Sequence, residues 1–131
     1  MIRWGIVGAG NIANTFAKDL ALVEDNRLCA VASRSLSKAS EFAETYGAEY
    51  AFGSYDELFK SDVVDVVYIA TPHTSHADLS IRAMDHKKHV LCEKPMGINS
   101  AEVGLMLAKA KENEVFLMEA FCRRFNPTIK K

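Results

Sequence analysis

Charge of one sign is the first thing this sequence lacks. Sixteen Lys and Arg stand against seventeen Asp and Glu, for a formal net charge of −1. Nucleic-acid binders usually concentrate basic charge on one face, so no nucleic-acid partner is expected, and Lys130 and Lys131 read as a solvated tail. Cysteine is scarce as well. Cys29, Cys92 and Cys122 are too few and too far apart for a disulfide framework, and no pair has metal-ligand spacing. Free thiols fit a reducing compartment. No apolar run approaches the roughly 20 residues a membrane span requires. The chain opens directly on a strand pattern, Ile2 to Val7, without signal-peptide architecture. Low-complexity stretches and linkers are also missing. These absences predict a cytoplasmic protein with no membrane, metal or nucleic-acid partner.

What remains is an ordinary globular composition. With 131 residues, 49% of them apolar and 25% charged, the chain can bury a real core as one domain. Strand and helix signals alternate along it. Strands are predicted over 2–7, 28–32, 48–52, 63–69, 89–92 and 115–118. Helices are predicted over 11–23, 35–46, from Ser54, over 75–86 and over 100–113. The first helix carries Ile12, Phe16, Leu20 and Val23 on one stripe. Gly47 suits the left-handed position after a helix end, Ser54 and Glu57 have capping-box spacing, and Ser100 is a plausible cap. Alternating β and α units imply an α/β fold, a doubly wound parallel sheet of about six strands with right-handed crossovers. Such sheets bind ligands at the carboxyl ends of their strands.

The first of those ends is the most informative. Gly8-Ala9-Gly10-Asn11-Ile12-Ala13 reads as G-x-G-x-x-A between a strand and a helix. The first glycine permits a tight turn, the second lets backbone approach a pyrophosphate, and Ala13 still allows close helix–strand packing. The helix that follows offers the N–H groups of residues such as Asn11 and Ile12, and its positive dipole end, to an anion. The plainer alternative is an ordinary glycine turn. The strand–turn–helix context favours the dinucleotide cradle.

The second strand end bears on the cofactor. Dinucleotide sites place an acid there for a ribose 2′-hydroxyl, or an arginine for a 2′-phosphate. The sequence there is Ser33-Arg34-Ser35, while Glu24 and Asp25 lie at the opposite end of the strand. Arg34 can fork onto a phosphate, Ser33 and Ser35 can donate hydroxyls, and Lys38 follows one helical turn later. NADP is therefore expected over NAD. The alternative is a solvated loop arginine.

Two further strand ends supply candidates for chemistry. Thr71-Pro72-His73 with His76 follows the fourth strand at the cofactor edge, with both histidines read as contact residues. A surface or capping role for His73 stays open. Glu93-Lys94-Pro95 follows the fifth. A lysine there can exchange a proton with a substrate hydroxyl when burial or a nearby positive charge lowers its pKa. Pro95 biases Lys94 towards extended backbone. Spacing alone does not separate a catalytic lysine from a surface one.

Taken together, the run Gly8 to Ala13, Thr71-Pro72 with His76, Lys88 to Pro95, and Met118-Glu119-Ala120-Phe121 with Arg124 and Pro127 resemble the glucose–fructose oxidoreductase / inositol dehydrogenase family. They are most similar to its dihydrodiol dehydrogenase branch. The resemblance covers essentially the whole chain. It implies that Lys94 contacts the reacting hydroxyl and the nicotinamide ribose, that Glu93 lies on the ribose side, that Arg124 is near the cofactor, and that the Lys94–Pro95 peptide is cis. It implies NADP and a small-molecule substrate, a sugar, polyol or trans-dihydrodiol. Cys122 departs from the branch, which tends to carry an aromatic there. The family also implies an α+β substrate domain of roughly 200 residues, with the usual oligomer surface. On that expectation, residues 1–120 are the dinucleotide-binding domain and 121–131 begin the crossing to a domain outside this chain. The chain alone should bind cofactor with little turnover. The alternatives are a non-catalytic NAD(P) sensor and a different nucleotide-binding module.

Overall fold

The computed structural model describes residues 1–94, 96–97 and 99–120. Six strands form the sheet: β1 Ile2–Val7, β2 Asn26–Ala32, β3 Tyr50–Phe52, β4 Val66–Ile69, β5 His89–Glu93 and β6 Leu117–Ala120. Their order is β3-β2-β1-β4-β5-β6, and every neighbouring pair is parallel. The chain therefore starts mid-sheet, winds outward through β2 and β3, then returns to the other side of β1. The reversal falls between β1 and β4, the switch point at which such sheets open a crevice. The doubly wound sheet expected from the alternating pattern is the architecture observed.

The crossovers are α1 Asn11–Leu20, α2 Leu36–Tyr46, α3 Tyr55–Lys60, α4 His76–Asp85 and α5 Ser100–Asn113, with a 3₁₀ turn at His73–Ser75. Each sheet face has its own core. Ile6, Val31, Tyr68 and Leu91 pack with Phe16 and Leu20 of α1 and Phe42 of α2. On the opposite face Val7, Val67, Ile69 and Cys92 pack with Leu58 and Phe59 of α3, Met84 of α4 and Met106 of α5. Burial on both faces is why these strands read as near-continuous apolar runs. Among the described residues, no helix is long and apolar enough to cross a membrane.

Several boundaries differ from expectation for identifiable reasons. Helix α1 ends at Leu20, not Val23. Leu22 N and Val23 N bond back to Asp19 O and Leu20 O, tightening the chain into a turn. The buried stripe is Ala13, Phe16, Ala17 and Leu20, while Ile12 and Val23 are 46% and 42% exposed. Two alanines bring the helix close to the sheet, so the inward face is set by small residues that a search for large apolar ones passes over. Strand β4 begins at Val66, although the β-branched run starts at Val63. Val64 is buried, but its carbonyl is taken by the Lys88 ammonium at 3.1 Å, alongside Ser61 O at 2.7 Å. Its apolar side chain signals core burial and not a ladder position. Burial lowers the Lys88 pKa. Asn99, not Ser100, caps α5, its Oδ1 accepting from Glu102 N at 2.9 Å. Strand β6 starts at Leu117, two residues late, because Val115 N still closes the helix end on Ala110 O. Gly47 does end α2 in the left-handed region, at φ 78, and Ser54 does cap α3 through Glu57 N at 3.4 Å.

Candidate functional site: a phosphate cradle at the sheet switch point

The carboxyl ends of β1, β2 and β4 converge on a cleft of about 550 Å³, a volume suited to a nucleotide-sized ligand. Gly8, Ala9 and Gly10 form its floor. Gly8 has φ +99, and a Cβ there would lie 3.1 Å from both Ala70 O and Thr71 Cγ2. Its glycine is required by the protein itself. Gly10 differs. Its φ of −96 and ψ of −166 are extended, and a Cβ there would meet nothing within 4 Å. Neither backbone conformation nor packing demands glycine at 10. The absent side chain leaves open space directly before α1.

That helix end lacks a side-chain cap and has no acidic residue in its first turn. Ser35 caps α2, Ser54 caps α3 and Asn99 caps α5, whereas α4 also lacks a side-chain cap but carries Asp78 in its first turn. The first N–H groups of a helix have no partner within it, and with the helix dipole they suit an anion. Asn11 and Ile12, both exposed, form this first turn. Ala13 is fully buried beneath it, as close helix–strand packing requires.

The far wall is cationic and hydroxyl-bearing. Ser33, Arg34, Ser35 and Lys38 line it, and no Asp or Glu is among the cleft's described lining residues. Arg34 and Lys38 are exposed. The hydroxyl of Ser33 accepts from Ser35 N at 3.2 Å, and that of Ser35 accepts from Lys38 N at 3.3 Å. Each serine therefore spends a lone pair on the backbone, and Ser35 Oγ also lies 3.3 Å from Ser37 Oγ, where either hydroxyl can donate. Tyr55, at the start of α3, completes this wall. Sequence reading missed it. Ser54 marked the helix start, but only the sheet order brings that start beside Arg34.

The third wall is Ala70, Thr71 and Pro72. Thr71 Oγ1 and Ser75 Oγ lie 2.7 Å apart, and Ser75 Oγ donates to Pro72 O at 2.7 Å. His76 is 1% exposed, with Nε2 2.8 Å from Thr71 O. The structure thus places His76 behind this loop, bracing it, and not on the cleft surface where a direct contact was expected. His73 stays exposed at the loop's outer edge.

Glu93 ends β5 and Lys94 follows it, exposed, at the carboxyl edge. Neither borders the 550 Å³ cleft. They stand across β4, on the other side of the switch point. Glu93 accepts a hydrogen bond from the Tyr68 hydroxyl. Two residues beyond Lys94, Met96 N donates to Glu119 on β6 at 2.9 Å. Cys92, directly before Glu93, is fully buried, and burial pushes its thiol up to about 12, which removes it as a nucleophile near neutral pH. Cys29 is likewise buried and raised. The expectations for Arg124, Cys122 and the Lys94–Pro95 peptide fall outside the described residues.

Known proteins resemble this chain in sequence and in fold. Among curated relatives, trans-1,2-dihydrobenzene-1,2-diol dehydrogenase of Mus musculus is 47% identical over 131 residues, spanning 98% of this chain and 39% of the relative. The scyllo-inositol 2-dehydrogenase (NADP(+)) IolU of Bacillus subtilis is 44% identical, spanning 99% of this chain and 40% of its own. Among solved structures, the open conformation of KijD10, a 3-ketoreductase from Actinomadura kijaniata in complex with TDP-benzene and NADP, superposes with a TM-score of 0.87. It is 35% identical, over 92% of this chain and 38% of that one. The chain thus spans about two fifths of the length of these relatives. Residues 2–121 match the Gfo/Idh/MocA family, described as an oxidoreductase family with an NAD-binding Rossmann fold, and the chain belongs to that family.

Proposed function

We propose that this chain is the cofactor-binding half of an NADP-dependent oxidoreductase. The whole protein would exchange hydride between the nicotinamide and a secondary alcohol of a sugar, polyol or trans-dihydrodiol. The observation that carries the cofactor choice is the wall of Arg34, Lys38, Ser33 and Ser35 with no carboxylate among the cleft's described lining residues. A carboxylate there would hold a ribose 2′-hydroxyl and repel a 2′-phosphate; arginine does the reverse. The start of α2, just past Ser35, adds a positive dipole end to the same wall. Relatives agree in kind: IolU is named for NADP(+), and KijD10 was crystallised with NADP.

In this reading, Gly8 to Gly10 and the first turn of α1, Asn11 and Ile12, take the pyrophosphate. Arg34, Lys38, Ser33 and Ser35 take the 2′-phosphate. The nicotinamide nucleoside then extends over the ends of β4 and β5, bounded by Thr71, Pro72 and His73, with His76 fixing that loop from behind. Glu93 meets it on the ribose side, and Arg124 adds a charge near it. When bound, NADP supplies the hydride acceptor. Lys94 holds the substrate hydroxyl and takes its proton during oxidation, returning it during reduction. Residues 1–120 form the dinucleotide-binding unit, and 121–131 lead towards the unit that selects the substrate. The relatives' names point to the substrate class: a trans-dihydrodiol for one, scyllo-inositol for another, and a 3-ketoreductase substrate for KijD10.

A fluorescence titration of the chain with NADPH and with NADH tests the cofactor assignment. NADPH should bind at least about 10-fold more tightly, the worth of one charge-assisted contact. Equal or tighter NADH binding overturns it.

A further inference from the structure

Tyr68 is buried in the middle of the sheet, 3% exposed. It is on β4, in register with Leu91 of β5. Glu93 lies two residues beyond Leu91 and so on the same sheet face. The Tyr68 hydroxyl reaches across and donates to Glu93 Oε2. Behind it, the Tyr68 ring stacks on Phe16 of α1, centroids 3.9 Å apart and planes 13° off parallel. Phe16 in turn packs against Trp4 at 5.3 Å. A buried aromatic column therefore joins the helix of the pyrophosphate cradle to the carboxylate at the end of β5. The segment after Glu93 is held separately, by Glu119 accepting from Met96 N.

Dinucleotide geometry gives this link a purpose. With the pyrophosphate at Gly10 and the 2′-phosphate wall beyond β2, the second nucleoside must cross the switch point onto β4 and β5. Glu93 is then the carboxylate it meets first. A glutamate has three rotatable side-chain bonds, and fixing one costs conformational entropy unless a partner has already done so. We infer that Tyr68 is a positioning residue for the nicotinamide half of the site, acting through the Glu93 carboxylate. This rests on the dinucleotide reading above. It assigns a role to a residue that sequence inspection places only in a buried strand. Phe at this position would keep the stack on Phe16 and lose the hydroxyl that aims Glu93.

The test compares two ligands on the whole chain: NADPH, which fills both halves, and 2′,5′-ADP, which fills only the 2′-phosphate half. Tyr68→Phe should weaken NADPH binding roughly 10-fold, the scale of a hydrogen bond to a charged group, and leave 2′,5′-ADP within about twofold of wild type. In a Glu93→Ala background, Tyr68→Phe should have no further effect on NADPH, because the two residues act as one unit. Unchanged NADPH affinity overturns the proposal. So does equal weakening of both ligands, or additive losses in the double variant, since each would mean that Tyr68 supports the fold and not Glu93. Wild-type protein that binds neither ligand would overturn the dinucleotide reading itself, and this inference with it. Binding of 2′,5′-ADP also reports that each variant is folded.

Discussion

Gly8 and Ala70 meet just past the neighbouring carboxyl ends of β1 and β4: a Cβ on Gly8 would stand 3.1 Å from the Ala70 carbonyl oxygen, on a backbone with φ +99. Two glycines apart by one residue thus have different reasons to exist. Gly8→Ala should destabilise the fold by about 1–3 kcal/mol through strain and the close carbonyl. Gly10→Ala, in extended backbone with open space around it, should leave stability within about 0.5 kcal/mol while abolishing detectable NADPH binding. Denaturant melts paired with NADPH titrations separate the two effects. A Gly10→Ala protein that still binds NADPH normally would show that the pyrophosphate does not lie there.

Arg34 should behave as a specificity residue. It is exposed on the cleft wall, so Arg34→Ala should scarcely change stability. Loss of a forked phosphate contact should weaken NADPH by roughly 10- to 100-fold, the range for charge-assisted hydrogen bonds. NADH affinity should stay the same, because NADH lacks the 2′-phosphate that Arg34 would meet. An equal loss for both cofactors would move Arg34 from the 2′-phosphate to a general role.

Lys94 should separate binding from chemistry. On the function proposed above, Lys94→Ala in a full-length protein carrying this chain should lower turnover by about 10²- to 10⁴-fold, the usual contribution of a positioned acid/base, with a far smaller loss of NADPH affinity. Single-turnover rates of NADPH formation alongside titrations give both quantities. Turnover equal to wild type would take Lys94 out of the proton path.

Acid should expose the tie between β1 and β4. Arg3 donates to Asp65 through its backbone N at 2.9 Å and its guanidinium at 3.2 and 2.8 Å. These bonds hold the Asp65 carboxyl below the usual carboxylate range. The unfolded chain therefore binds its proton first as pH falls. The stabilisation is complete above the ordinary carboxylate pKa and is lost as pH drops through it to the lowered folded value. The pair is well exposed, at 45% and 39%, so the effect should be small and weaken with salt. Wild type and Asp65→Asn should differ in stability at pH 7 and converge in acid. A constant difference across that range would assign the bond no titrating role.

Much of this is legible in the sequence. The G-x-G-x-x-A turn, the alternation of strands and helices and the Arg34 edge follow from local chain properties: backbone freedom, period and charge. The boundaries that moved did so where tertiary contacts compete with local pattern. Val64 looks like a strand residue because it is β-branched, yet Lys88 claims its carbonyl. Ile12 looks like core, yet Ala13 and Ala17 face the sheet. His76 looked like a cleft residue because it follows a cleft loop; helix phase turns it inward to Thr71.

By itself, then, the sequence determined the fold class, the glycine turn between β1 and α1 and the charge of the second strand's edge, since each depends on residues close together in the chain. Only the tertiary structure decided which of those edges share one cleft. It placed Tyr55 beside Arg34, left Gly10 facing open space, and joined Tyr68 to Glu93 across 25 residues. Those relationships come from the sheet order β3-β2-β1-β4-β5-β6, which sets residues distant in sequence side by side and which no local pattern encodes.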